Sequence, residues 1–239
     1  MTEISLKERQ TIYFADARWK TWYKIGGLAF LIEGISYLLI LVAGPMIGAA
    51  PGNNSQYLNA LATHSEIANL SYYVTLLADL VLIPGAYGFY LAFRRINRNW
   101  MLLATALIWA YVVIDLMTFV PSAILLVALS QQVQTASVLA TEHSLLAIVP
   151  LSQFFGWVEP PIAFAIWIAI LRRADVARFA RIFGFFLVPF SILGGASFLV
   201  PTSAYLQSFQ LPALAVYSIF FLGLAAAMLR LHTKQAPSL

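Results

Sequence analysis

The chain has 239 residues, of which 61% are apolar and 10% charged; soluble domains carry roughly 45–50% and 25%. A soluble fold of this length cannot hide so much apolar surface, so the solvent must be lipid, and the length allows one compact membrane domain. Cysteine is absent, which excludes disulfides, thiolate metal sites and cysteine nucleophiles.

Residues 1–24 read as a cytoplasmic or interfacial segment, with a short interfacial helix expected over 2–24. Six apolar runs follow near 25–48, 66–93, 100–129, 145–171, 182–204 and 209–231, each long enough to cross a hydrocarbon core as a helix. The runs are continuous rather than alternating, which argues for helices over a barrel, since every backbone group must be paired internally in lipid. Residues 25–231 are thus expected to form an all-α bundle of six transmembrane helices, and 232–239 a cytoplasmic tail. The first run is longer than a signal-peptide core and follows a long mixed-charge flank, so it reads as a retained anchor.

Basic residues orient the bundle. Lys7, Arg9, Arg18, Lys20 and Lys24 precede the first run; Arg94, Arg95 and Arg98 separate the second and third. Arg172, Arg173, Arg178 and Arg181 separate the fourth and fifth; Arg230 stands at the end of the sixth and Lys234 follows it. These are all 14 Lys and Arg residues. The connections near 49–65, 130–144 and 205–208 hold none. The positive-inside rule then places both termini in the cytoplasm of a cell inner membrane. It also accounts for the net charge of +4 without a nucleic-acid partner. Trp19, Trp22, Tyr23 and Trp100 fall at the inner interface, and Tyr57, Tyr72 and Tyr205 at the outer one, where amphipathic rings belong. Asn53-Asn54-Ser55 matches a glycosylation sequon in an outer connection, a match without meaning in a bacterial protein.

Some words recur. LATHSE at 61–66 and LATEHS at 139–144 each precede a run ending in Arg-Arg, at 94–95 and 172–173. Phe119-Val120-Pro121-Ser122 resembles Leu199-Val200-Pro201-Thr202, and Ile32-Glu33 resembles Ile114-Asp115. The spacing suggests a hairpin of about 80 residues repeated in parallel, as transporters often are. Chance recurrence in so biased a chain is the competing explanation.

The most informative residues are four acids. Glu33, Asp79, Asp115 and Glu159 lie one in each of the first four runs, near the midpoints, and no Lys or Arg lies inside those four runs. A carboxylate at mid-bilayer costs at least ~2.5–3.5 kcal/mol. The remedies are few: protonation, hydrogen bonds from neighbouring helices, an enclosed cation, or a watery cavity. Ser36, Tyr37, Thr75, Tyr111, Thr118, Gln153 and Trp157 are candidate partners. Prolines follow three of the acids: Pro84 after Asp79, Pro121 after Asp115, and Pro160-Pro161 directly after Glu159. A mid-helix proline frees the carbonyl four residues earlier, as in the broken helices that build ion and substrate sites. The plainer explanation is that neutral acids bond one helix to another. The four acids are taken as the candidate ligand- or ion-binding set.

Other chemistry is sparse. His64 and His143 lie beside Glu66 and Glu142 in outer connections, without metal-ligand spacing, and read as solvated side chains. No P-loop, dinucleotide fingerprint, HExxH or GxSxG motif occurs. No intramembrane histidine pair suggests haem and no intramembrane lysine suggests retinal, so neither a metal nor a cofactor is expected. Gly194-Gly195 reads as a close helix contact.

The stretches Lys24-Ile25-Gly26-Gly27-Leu28-Ala29-Phe30-Leu31-Ile32, Leu91-Ala92-Phe93-Arg94-Arg95-Ile96-Asn97-Arg98 and Arg178-Phe179-Ala180-Arg181-Ile182-Phe183-Gly184, with Asp79, resemble a family of six-helix bacterial membrane proteins catalogued as domain of unknown function 4386. The resemblance covers most of the chain. It implies a fold and a bacterial membrane, and no activity. Glu159-Pro160-Pro161 and the outer histidines fall outside it.

Three functions fit these residues. A small molecule, proton or cation is bound or transported at a carboxylate-lined centre. Alternatively, an acid serves as proton donor in an enzyme acting on a lipid or isoprenoid. In the third, the chain is a structural subunit whose acids bond to neighbouring helices, a second copy or a membrane partner. Repetition and mid-span acids favour the first.

Overall fold

The computed structural model describes residues 16–47, 54–132, 136–174, 178–200 and 202–233. Every regular element among them is helical. A 3-10 turn, Ala17–Trp19, leads into α1 (Lys20–Ile47). Then come α2 (Asn54–Thr63), α3 (Ser65–Phe93), α4 (Arg98–Met117) and α5 (Phe119–Ser130). The chain continues with α6 (Ala136–Ala174), α7 (Arg178–Leu199), α8 (Ala204–Gln207) and α9 (Gln210–Thr233). Six stretches are long and apolar enough to cross a membrane: Lys20–Met46, Ser65–Phe93, Arg98–Ser130, Ser137–Arg173, Ala180–Leu199 and Ala204–Thr233. The third joins α4 to α5, and the sixth joins α8 to α9.

Local chemistry sets several boundaries. Asn97 starts α4 by accepting a hydrogen bond from the Trp100 amide at 3.2 Å, the N-cap role for which asparagine is suited. Ser203 does the same for α8, accepting from the Leu206 amide at 3.3 Å. The third span breaks at Thr118, three residues before Pro121, which can donate no bond to the Met117 carbonyl. Two stretches expected as connections are partly helical. Residues 54–63 of the 49–65 stretch form α2, and α6 already begins at Ala136. Glu142 is consequently buried on a helix rather than solvated, whereas His64, Glu66 and His143 are exposed. Residues 2–15 of the expected interfacial helix, Asn53 of the sequon and residues 234–239 of the tail lie outside the described residues.

The spans form a ring in chain order. Helix α1 packs on α3, α3 on α4, α4 on α6, α6 on α7, α7 on α9, and α9 returns to α1. His232 Nδ1 lies 3.1 Å from the Lys20 carbonyl oxygen, so the last helix ends where the first begins. That end also carries Arg94, Arg95 and Arg98 and is called the basic end below. There Asp16 accepts hydrogen bonds from the Arg18 backbone and guanidinium and from Arg95, the shortest at 2.8 and 2.9 Å. Tyr23 Oη donates to the Asp16 carbonyl at 2.9 Å, and the Arg94 guanidinium lies 5.4 Å from the Trp19 ring. Hydrogen bonds from the Arg18 side chain and then its backbone hold the Asp16 carboxyl at about 2, below the ordinary 3.8.

Glycines let α1 sit between two neighbours at backbone distance. A Cβ on Gly88 of α3 would lie 2.7 Å from the Trp22 carbonyl oxygen and 3.0 Å from Gly26 Cα. On the α9 side, a Cβ on Gly27 or Gly34 would lie 2.8 Å from Leu229 or Leu222. Small residues at such crossings allow close packing in lipid, where burial from water no longer drives association. Inside the basic half, Phe30, Phe89, Phe164, Trp167 and Phe221 are almost fully buried. Their rings meet at centroid distances of 4.6–5.7 Å and plug the ring's axis. Outward faces carry Val42, Met117 and Phe185, each more than two-thirds exposed, as suits lipid contact.

Gly88→Ala is expected to lower unfolding free energy by about 1–3 kcal/mol, because its new carbon meets backbone that cannot step aside. Gly44→Ala, with nothing within 4 Å of the added atom, should change it little; denaturation in mixed micelles compares the two. Asp16→Asn should cost less than about 1 kcal/mol at neutral pH, since Arg18 and Arg95 are largely exposed. A carboxyl depressed on folding stabilises the protein above its unfolded pKa. That contribution fades as pH falls from 3.8 towards 2. Melting curves of the two proteins should therefore converge over that interval.

Candidate functional site

Above the aromatic plug the ring is hollow. A cavity of about 300 Å³ lies between the plug and the end opposite the basic one. All six spans line it. Helix α1 contributes Tyr37 and Pro45; α3 contributes Ser71, Tyr72 and Thr75; α4 contributes Tyr111 and Asp115. From α6 come Gln153, Gly156 and Trp157, from α7 Phe198, and from α9 Gln210, Leu211 and Tyr217. Pro45 and Leu211 are exposed and mark the mouth. Beside it, Tyr57 of α2 also lines the cavity, and its hydroxyl lies 3.2 Å from that of Tyr72. This contact fixes α2 across the rim.

Three of the four candidate acids gather at the cavity floor. Asp115 lines it and is 5% exposed; Asp79 and Glu33 stand behind, 2% and 0% exposed. Tyr111 Oη donates to Asp79 Oδ1 at 3.1 Å. The Asp79 and Asp115 carboxyls lie within electrostatic range of each other. Asp79 Oδ2 and both Glu33 oxygens are buried without a hydrogen-bond donor from the described residues. Tyr37 and Tyr111 lie within electrostatic range of all three acids.

The inward stripes of the helices explain this convergence. In α1, Phe30, Glu33 and Tyr37 follow a three-then-four spacing; in α3, Tyr72, Thr75, Asp79, Leu82, Ala86 and Phe89 do; in α4, Met101, Ala104, Ile108, Tyr111 and Asp115 do. Residues so spaced share one helix face. Each of the three acids therefore occupies a core position. Helix α6 points Gln153, Gly156, Trp157, Pro160, Phe164 and Trp167 inward by the same rule. Glu159 is a neighbour of Pro160 and turns about 100° away from that stripe. It is only half-buried, does not line the cavity, and has none of the other three acids as an electrostatic neighbour.

Among the proposed partners, Tyr111 bonds a carboxyl across helices. Thr75 and Thr118 instead donate to their own helix, to the Ser71 and Ile114 carbonyls at 3.0 and 2.7 Å. Gln153 Oε1 is buried without a donor beside the cavity. Gly194 and Gly195 form the seat of Trp157: a Cβ on the first would lie 2.7 Å from Trp157 Cζ3, and on the second 2.9 Å from Trp157 Cβ. Tyr217 and the α9 glutamine went unnoticed in the sequence, although Tyr217 and Phe221 lie four apart on one apolar helix face. Nothing local marked Gln210, whose amide donates to Ser197 Oγ at 2.6 Å. Among the described residues no group of three His, Cys, Asp or Glu side chains is disposed to hold a metal ion. No family model, curated protein or solved structure matches the chain.

Tyr111→Phe keeps the ring and removes the donor to Asp79, leaving a further buried oxygen unpaired. It should lower unfolding free energy by about 1–3 kcal/mol, measured by denaturation in mixed micelles.

Proposed function

We propose that the chain is a multi-pass protein of a bacterial inner membrane, with both termini cytoplasmic, that binds or carries a small molecule, proton or cation. The distribution of Lys and Arg supports that orientation, and in it the cavity faces outward. The observation that carries the reading is the meeting of Glu33, Asp79 and Asp115, from three consecutive spans, at the floor of one cavity. Buried carboxyls without basic partners are costly in lipid, and a cavity able to admit a proton or ligand gives the cost a use. Concave sites with apolar walls and a few convergent polar groups are the usual form of small-molecule sites. Acids turned inward do not suit a subunit that would use them to grip a partner across its lipid-facing surface. The likeness to domain of unknown function 4386 adds a setting but no activity.

The test is a thermal-stability screen of neutral, anionic and cationic small molecules on the purified protein, paired with proton uptake followed by an indicator dye. A ligand at a hundredfold excess over its Kd should raise stability by about 2.7 kcal/mol. Asp115→Asn should weaken that effect, and Asp79→Asn and Asp115→Asn should each reduce proton uptake. If no compound stabilises the wild type and both variants take up protons as it does, the reading is wrong.

A further inference from the structure

We propose that the cavity takes a small organic cation, a primary ammonium on an aromatic or short alkyl body, with the ammonium held against Asp115. This rests on the reading of the cavity as a ligand site and adds the chemical class of the ligand.

The floor offers acceptors and lacks cations. Asp115 is the one formally charged residue among the described lining residues, and no Lys, Arg or His is among them. An anion would meet a carboxyl with nothing to balance either charge. Two cavity-lining residues of α6 add further acceptors. Gly156 lies so close that a Cβ on it would be 3.5 Å from Asp115 Oδ1, and Pro160 deprives the Gly156 carbonyl of its helical donor. One turn earlier on the same face of α6, Gln153 Oε1 is buried without a donor. An ammonium has three donors and no acceptor, which matches a carboxylate, a freed carbonyl and an amide oxygen. A neutral alcohol, with a single donor, would leave two of them unmet.

The walls suit the rest of such a molecule. Tyr37, Tyr111, Trp157 and Tyr217 line the cavity, and aromatic faces attract cations, most strongly when water is excluded. Trp157 meets Tyr217 edge-on at 6.3 Å, so the two rings form a corner rather than a stack. At about 300 Å³ the space is at the small end of ligand sites, enough for one ring and a short chain. Behind Asp115, Asp79 Oδ2 and the two Glu33 oxygens are almost fully buried and without donors. Neither residue lines the cavity.

Isothermal titration of the full chain in nanodiscs with phenethylammonium, 2-phenylethanol and phenylacetate tests this, since the three probes share a body and differ in charge. The amine should bind at least about tenfold more tightly than the other two, the scale of a charged hydrogen-bonded pair. Asp115→Asn should remove that preference. Should that variant fold poorly, Gly156→Ala, whose added carbon makes ordinary contacts, and Gln153→Met should each weaken the amine selectively. If the alcohol or the acid binds as tightly as the amine, the ligand class is wrong while the cavity stands as a site. An amine affinity equal in wild type and all three variants overturns the seating at Asp115. If none of the three probes binds, the cation assignment fails, and the broader screen with proton uptake judges the site independently.

Discussion

The ring depends on how closely α1 can be approached. It is pressed from one side by α3 at Gly26 and Gly88, and from the other by α9 at Gly27 and Gly34. Without those contacts the first and last spans could not meet, and the ring would open to lipid along that seam. Closure has a direct consequence for Glu33, which lies on α1 between the two seams and is fully buried. In an open bundle that carboxyl would face hydrocarbon, where an unpaired charge is among the costliest groups a span can carry. The same glycines that let the helices touch thus give the acid an interior to face. Ser218, whose hydroxyl donates to the Gly34 carbonyl at 2.7 Å, ties the α9 seam at the level of the acid.

Within the closed ring the interior is divided by side-chain size. Large rings fill the basic half: Phe30, Phe89, Phe164, Trp167 and Phe221 leave no axial space. In the other half the inward positions include Thr75, Gly156, Gln153 and hydroxylated rings, which are smaller or more polar, and the cavity is what remains. The acids mark the border between the two halves. Tyr37 belongs to both, stacking on Phe221 and Tyr217 at 5.8 and 4.9 Å while lining the cavity. A change at the plug therefore has a mechanical route to the site through one stacked column of rings.

Much of this was legible in the sequence. Span positions follow from composition and length: four of the six expected runs fall within the membrane-length helices, and the runs 25–48 and 182–204 extend past the ends of theirs at Met46 and Leu199. Depth was also legible, because each acid lies near the middle of a run. Direction was harder. For Glu33, Asp79 and Asp115 the three-then-four spacing of their apolar neighbours already set them on core faces. Glu159 has the same depth, yet its inward neighbours are Pro160 and Phe164, and one position along a helix swings a side chain by about 100°. The small helix α2 and the early start of α6 were missed because their polar residues resemble a solvated connection. Packing against Tyr72 and the α5 residues Ala123, Leu126 and Val127 buries Tyr57 and Leu61. Gly194 and Gly195 were legible as a close helix contact, but not Trp157 as the residue seated there, since that depends on which residue of α6 faces them across the ring.

The aromatic plug has one more implication. A hollow stoppered at its base communicates with one compartment only, so whatever occupies it reports the composition of that side and is indifferent to the other. Passage to the opposite compartment would require Phe30, Trp167 and Phe221 to part, and these rings are also what holds α1, α6 and α9 together at that level. Opening the stopper and loosening the barrel wall would be the same event. Occupancy by itself asks for no such rearrangement. In this conformation the cavity opens at one end only, and a path to the other end exists only where those rings part.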